Sequence, residues 1–265
     1  MNEIFIEVFE GITREEQLPL AKKIGYKGFF SGPDYASDLN ELREFRRIGD
    51  ELGLIYETSH STIPGACDVW YPGDKGEKYI EMLKGEIDNC VALNIPTYIV
   101  HIQTDMQTGM DLDLGIKRFE PLVAYAKEKG VTIAFENTDA TALLCGVLDH
   151  FDTEGVGFCF DTGHEMFRTP TDDLLGKIGH RLICTHIHDN DGVYDQHLLP
   201  FDGCFDFEKM CRDLASIGYE GNLTFELRYS DAYAEKMTKE EFLKECYERA
   251  MQIKAKIAEL KREKA

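Results

Sequence analysis

Residues 158–167 read FCFDTGHEMF, residues 182–191 read LICTHIHDND and residues 195–203 read DQHLLPFDG. Two short apolar runs end at Asp161 and His186, and His164, His188, Asp189, Asp195 and His197 lie close behind them. Imidazoles and carboxylates gathered at the ends of apolar strands point to a cation held between them. In 157–161, Phe158 and Phe160 oppose Gly157, Cys159 and Asp161; in 182–188, Ile183 and Ile187 oppose Leu182, Cys184, His186 and His188. Run 131–136 sets Val131, Ile133 and Phe135 against Thr132, Ala134 and Glu136, and run 222–227 sets Leu223, Phe225 and Leu227 against Asn222, Thr224 and Glu226. A strand in a parallel barrel turns its large apolar residues to the outer helices and its smaller or polar ones to the lumen. By this parity Glu136, Asp161, His186 and Glu226 point inward from the C-terminal ends of four strands, where barrel enzymes keep their chemistry.

The rest of the chain continues the alternation. Further strand candidates are 4–9 (IFIEVF), 27–31, 54–60 and 96–102 (PTYIVHI), and helix candidates lie near 14–24, 38–52, 75–93, 114–129, 140–151, 171–178, 207–217 and 239–262. Gly25, Gly53, Gly130 and Gly218 stand where helices end before a strand. Eight β/α alternations predict an α/β fold, a (β/α)8 TIM barrel forming a single domain over residues 1–265. A doubly wound open sheet is the alternative, but no GxGxxG or GxxxxGK[ST] fingerprint occurs.

Composition sets outer bounds. The net charge of −20 argues against a broad basic surface for nucleic acid or anionic lipid. Eight cysteines form no CxxC pair, and Cys159 and Cys184 sit in apolar runs as small buried hydrophobes. The N-terminal MNEIFIEVFEG lacks the form of a signal peptide, and no apolar run approaches a membrane span. The expectation is a reduced, cytoplasmic enzyme with a small-molecule partner; homo-oligomerisation stays open.

Inward carboxylates in a low-dielectric lumen repel one another and lose hydration, so they must bind protons, bases or a metal. Arg228 is the one inward basic candidate nearby. Three oxygen-donating acids and one imidazole suit a single divalent ion, Mn²⁺, Mg²⁺, Co²⁺ or Zn²⁺. His60 and His101 end the third and fourth strands, whereas His150 and His180 fall near helix ends. Glu7 points inward on the first strand. Trp70, after a Gly/Pro-containing loop, reads as a candidate to stack on a ligand or as a loop anchor, and Phe9, Phe30 and Phe201 are rim candidates. His188 is placed in the pocket.

These motifs together resemble the xylose isomerase-like barrel superfamily, which includes sugar and sugar-phosphate isomerases and epimerases and endonuclease IV-type enzymes. The matching pieces are the Glu of AFENTD (134–139), the Asp and His of FDTGH (160–164), the first His of THIHDND (185–191), the DxH of DQHLLPFDG and the Glu of LTFELR (223–228). The resemblance implies that Glu136, Asp161, His186 and Glu226 hold the common metal. It also implies that His60, His101, His164, Asp195 and His197 match the additional ligands of the three-zinc DNA-repair branch; in the sugar branch such histidines contact substrate. The sequence departs in one loop, where Phe201 follows Pro200 in place of the expected glycine. It also lacks an Arg in the six residues after His186, so the identity of the sugar does not transfer.

The leading expectation is a metal-dependent sugar or sugar-phosphate isomerase or epimerase. Glu136 and Glu226 would exchange protons with a carbon beside a carbonyl, and His188, Trp70, Arg228 and Glu7 would contact the substrate. The alternative is a trinuclear zinc phosphodiesterase acting on abasic DNA with up to three Zn²⁺ ions. Against it stand the acidic balance and the rim loops 61–74 and 188–204, whose only charges besides histidine are acidic. A non-catalytic barrel subunit is the third reading.

Overall fold

The computed structural model describes residues 2–9, 11–103 and 108–264. Its strands are β1 (Ile4–Val8), β2 (Gly28–Ser31), β3 (Ile55–His60), β4 (Thr97–His101), β5 (Thr132–Glu136), β6 (Val156–Asp161), β7 (Leu182–His186) and β8 (Leu223–Phe225). They form one sheet in the order β7-β6-β5-β4-β3-β2-β1-β8, and every paired neighbour is parallel. Between them run α1 (Arg14–Ile24), α2 (Leu39–Leu52), α3 (Lys75–Ala92), α4 (Leu112–Lys129), α5 (Thr141–His150), α6 (Thr162–Arg168), α7 (Leu174–Ile178) and α8 (Phe207–Ser216). Two more, α9 (Asp231–Ala234) and α10 (Lys239–Lys264), follow β8. The alternation read in the sequence is a nearly closed eight-stranded parallel barrel ringed by helices. No helix is long and apolar enough to cross a membrane among the described residues, and no disulfide joins the cysteines.

The main core lies between the barrel wall and the helices. Phe29 stacks on Tyr56 with ring centroids 4.6 Å apart, and Phe45 of α2 packs over both. Each such aromatic, once buried, contributes about 1.5–3 kcal/mol. Inside the barrel Ile99, Ala134, Cys159 and Cys184 form a separate small cluster from β4 to β7. The strand parity therefore holds for β5 and β6, and the two cysteines are lumen filling.

Two bulges modify that parity. Opposite Phe29 and Phe30, β3 carries one extra residue, Glu57, so that Phe29 pairs with Tyr56 and Phe30 with Thr58. Tyr56 consequently faces the helices while His60, four residues on, faces the lumen. Glu57 also lies within, where its carboxylate accepts hydrogen bonds from Asn222 Nδ2 (2.5 Å) and Thr224 Oγ1 (3.3 Å) of the β8 segment. The second bulge is Ile183, between Leu182 and Cys184 of β7. It reverses the expected faces at that end: Leu182 packs on the outer core, and Ile183 covers lumen-facing Gly157, where a Cβ would lie 2.7 Å from its nearest methyl.

The helix expected at 171–178 is present in its second half and is preceded by one that was not expected. A helix starts at Thr162, immediately after β6, because Asp161 Oδ1 accepts from His164 N at 2.6 Å and caps it; a second short helix follows at Leu174–Ile178. Of the four glycines expected at helix ends, Gly25, Gly53 and Gly130 are caps with positive φ, whereas Gly218 follows a cap at Ile217.

The ring closes between β7 and β8 through one residue. Ile187 N donates to Thr224 O (2.8 Å), and Ile187 O accepts from Glu226 N (3.2 Å). Beside it Thr224 N donates to Thr185 Oγ1 at 3.1 Å, a side-chain hydroxyl in the role of a strand carbonyl. Thr185→Val keeps the shape and removes that acceptor, leaving a buried N–H without a partner. The expected loss is about 1–3 kcal/mol of stability by urea denaturation, with Thr185→Ser closer to the parent. Equal midpoints for the parent and the valine variant would show that the hydroxyl does not hold the seam.

Candidate metal centre

The C-terminal strand ends bring the sequence-predicted residues together. Glu136, Asp161, His186 and Glu226 each place a donor atom within 4.8 Å of the other three. Glu136, Asp161 and His186 are 0 % exposed. His186 Nδ1 stands 2.7 Å from Glu226 Oε2 and 3.3 Å from Glu136 Oε1, and its ring lies flat on Phe30 at 4.7 Å. Phe30, a rim candidate in the sequence, is thus a floor for the imidazole.

Glu136 is the hub. Its Oε2 lies 3.2 Å from His60 Nε2 and 3.5 Å from His101 Nε2, and its Oε1 lies 3.4 Å from His164 Nδ1. On the far side Asp195 Oδ2 is 3.3 Å from His164 Nε2 and 3.4 Å from His197 Nε2. The nine residues singled out as candidate ligands thus form one connected set. Besides the central four, three triplets among the described residues have metal-compatible donor spacing: Glu136–Cys159–His186, which shares two residues with the four, and the flanking His60–His101–Glu136 and His188–Asp195–His197.

Electrostatics bind the set. Burial alone would push the Glu136 carboxyl up, but the His186 and His101 imidazoles outweigh it and hold Glu136 well below the usual range. Burial likewise opposes ionisation of Glu226, and His186 overcomes it, so that carboxyl also falls. Asp195 is desolvated too, yet hydrogen bonds from His164 and His197 lower it. The imidazoles respond in kind. Burial disfavours charge on His186 and His164, but Glu226 and Glu136 raise the first well above its ordinary value, and Asp161 with Asp195 raises the second. The imidazoles and carboxylates thus favour one another's charged forms, a balance that a divalent cation between the acids would also serve.

The donor chemistry fits such an ion. His186 Nε2, His101 Nδ1, His188 Nδ1, Glu226 Oε2 and Asp195 Oδ1 are buried atoms without a well-aligned hydrogen bond among the described residues. Orphaned buried polar atoms are rare and costly unless a ligand satisfies them. Three oxygen donors and one imidazole around a shared point suit Mn²⁺, Co²⁺, Mg²⁺ or Zn²⁺.

A cavity of about 370 Å³ opens above the centre, lined by Glu7, Phe9, Tyr35, Asp195, His197, Glu226 and Arg228 among others. At its wall Glu7 is 9 % exposed, inward as the strand parity predicts, whereas Arg228, expected inward, is exposed. Desolvation, reinforced by Glu226, raises the Glu7 carboxyl well above the ordinary range.

Two substrate-contact expectations are corrected. Trp70 is 0 % exposed; its Nε1 donates to Ile102 O at 2.8 Å, its ring packs on Phe119, and it fills the space left by Gly115. It anchors the loop after β3 and shows no face to the barrel mouth. His188 is also 0 % exposed. Its Nε2 lies 3.1 Å from both Asp161 oxygens and His197 stacks on it at 4.1 Å, so it stands behind the acids instead of on the cavity wall. Burial opposes its protonation, but Asp161 raises it to about 9.

Residues to which the sequence reading gave no role position these groups. Asn137 exchanges two hydrogen bonds of 2.8 Å with the Asp161 backbone, and Thr162 Oγ1 exchanges bonds with the backbone of His188. Asp189 accepts from the backbone N–H groups of Asn190, Phe201, Gly203 and Phe205, folding the loop that carries Asp195 and His197. Phe201 takes φ +75°, the conformation a glycine would favour, so the loop keeps a glycine-like turn despite the substitution. Glu86 of α3 accepts from Ser37 Oγ, Thr62 N, Thr62 Oγ1 and Tyr98 Oη, tying two mouth loops to the barrel. Their signal in the sequence was proximity to the motifs, as with Asn137 in AFENTD and Asp189 in THIHDND; Glu86 had none.

Comparison with known proteins agrees with this architecture. A family model described as a xylose isomerase-like TIM barrel matches residues 18–246. The uncharacterized protein y4fM of Sinorhizobium fredii is 30% identical over 254 residues, covering 82% of this chain and 81% of that protein. Among solved structures, the IolI protein with a bound zinc atom superposes with TM-score 0.79 at 17% identity, over 95% of this chain and 97% of the other. D-allulose 3-epimerase from Methylomonas sp. in complex with D-allulose gives TM-score 0.77 at 17% identity, over 95% and 96%. At such identity the structural likeness speaks for the fold, and the family match with the y4fM relative for descent. The chain belongs to the xylose isomerase-like TIM-barrel family.

Proposed function

We propose that the protein is a divalent-metal-dependent sugar isomerase or epimerase that moves a proton on a carbon beside a carbonyl. The observation that carries this reading is the buried quartet of Glu136, Asp161, His186 and Glu226 at the floor of the 370 Å³ cavity. The sugar epimerases among the structural relatives support the substrate class, and the zinc in IolI supports a divalent ion. When bound, the metal would act as a Lewis acid that polarises the carbonyl and stabilises the charge developing on its oxygen.

The chain's own residues would divide the rest. Glu226 lines the cavity and, held ionised, takes the carbon-bound proton. Glu136 lies across the site as the second carboxylate for proton return, while His60, His101 and His164 keep it oriented. Return to the same carbon from the opposite face yields an epimer; return to the neighbouring carbon yields an isomer. Glu7 and Arg228 hold hydroxyl groups at the wall. Ring-covered Phe30 and the apolar lumen below exclude water from the floor.

Glu226→Gln keeps the volume and removes the base. Exchange of solvent deuterium into a ketose should fall by about 10²–10⁴-fold, with an unchanged circular dichroism spectrum. Undiminished exchange would remove Glu226 from the role.

One observation favours a second reading, a trinuclear zinc phosphodiesterase: the two flanking triplets with metal-compatible spacing. Elemental analysis by inductively coupled plasma separates the two. One divalent ion per chain, with loss of exchange on chelation and recovery on re-addition, is the expected result. Near three zinc ions per chain, together with cleavage of an abasic duplex, would replace the isomerase reading.

A further inference from the structure

A second depression of about 470 Å³ adjoins the cavity above the metal centre; it shares Phe9 and Tyr35 with it and is otherwise lined by Gly11, Ile12, Thr13, Arg14, Glu15, Glu41 and Lys239. Tyr35 is the shared wall. Burial raises its phenol; Arg14 opposes the rise, whereas Asp34, Glu41 and Glu7 add to it, so the ring stands between the charged groups of both compartments. Gly32 opens the inner side, because a Cβ there would lie 2.6 Å from Glu7 Oε1.

The charges discriminate among substituents. In the inner compartment Glu7, Asp34, Asp195 and Glu226 face one arginine, Arg228. In the outer one both cations are already engaged. Arg14 bonds Glu15 at 2.9 Å and Glu41 at 2.5 Å, and Lys239 bonds Glu16 at 2.7 Å. A dianionic phosphate would meet carboxylates and already-paired bases. An uncharged or zwitterionic group could exchange hydrogen bonds with both signs. The inner cavity alone already falls in the range of about 300–1,000 Å³ typical of small-molecule sites.

We propose that the substrate is a non-phosphorylated sugar conjugate, its sugar in the inner cavity and an uncharged or zwitterionic substituent in the groove beyond Phe9 and Tyr35. This rests on the sugar reading of the site, yet it can be tested without turnover. Binding of unreactive polyols to the metal-loaded protein is measured by isothermal titration calorimetry. The probes are glucitol, glucitol 6-phosphate, maltitol (a glucitol bearing a glucosyl group) and N-(1-deoxyglucitol-1-yl)glycine.

At least one of the two conjugates should bind tenfold or more tighter than glucitol, and glucitol 6-phosphate more weakly than glucitol. Lys239→Ala, at the exposed start of α10, should shrink the conjugate-to-glucitol ratio at least threefold. Equal binding of conjugates and glucitol, tighter binding of the phosphate, an unaltered ratio in the variant, or no binding of any polyol would each overturn the proposal. Deuterium exchange into the keto forms of the same conjugates, maltulose and N-(1-deoxyfructos-1-yl)glycine, reads the proton-transfer chemistry separately, so conjugate binding without exchange would reject the isomerase reading and leave the groove assignment standing.

Discussion

Like charges confined to a dry barrel lumen are the constraint around which this molecule is arranged. Two glutamates and an aspartate converge with His186 where water cannot solvate them, and the energy of keeping carboxylates ionised there is large. The response is a shell of imidazoles. His60, His101, His164 and His186 all approach Glu136, and His188 approaches Asp161. Each acid is thereby matched by a base or by a place for a cation, and the set stands or falls together.

The surrounding loops convert that set into a site. Loop 188–205 is folded onto a single carboxylate, Asp189, through four backbone N–H groups. The loop after β3 is held by Arg118, which donates to the carbonyls of Asp68, Val69, Tyr71 and Gly73, and by the buried indole of Trp70. Side chains that satisfy backbone groups lower the freedom of the mouth, so the cavity wall is set before a ligand arrives.

Much of this was legible in the sequence. Strand alternation located the lumen-facing acids because a period of two leaves large apolar and polar residues on opposite faces, and the contrast is strong in VTIAFE and NLTFEL. It failed where the count of residues slipped. Ile183 looks like an outward residue in the one-dimensional pattern, yet as the bulged residue of β7 it covers Gly157. His188, and Trp70 in its ligand-stacking reading but not in its loop-anchor one, were misplaced for another reason: a local pattern tells what a side chain can do, not what the next loop puts over it. Glu86 was invisible because its partners, Ser37, Thr62 and Tyr98, come from three distant segments.

The bulge in β3 carries a consequence for how this barrel can vary. Tyr56 and His60 share the same parity, so only the extra residue between them lets one serve the outer core and the other the centre. Loss of the Glu57 codon would restore plain alternation, with Tyr56 still against the helices and His60 still at the centre, and would remove the carboxylate to which Asn222 and Thr224 donate. Loss of any residue from a regular strand of the same barrel would instead turn every following side chain to the opposite face. The bulge is thus the one point in β3 where the chain can shorten by a residue and leave the imidazole where it is.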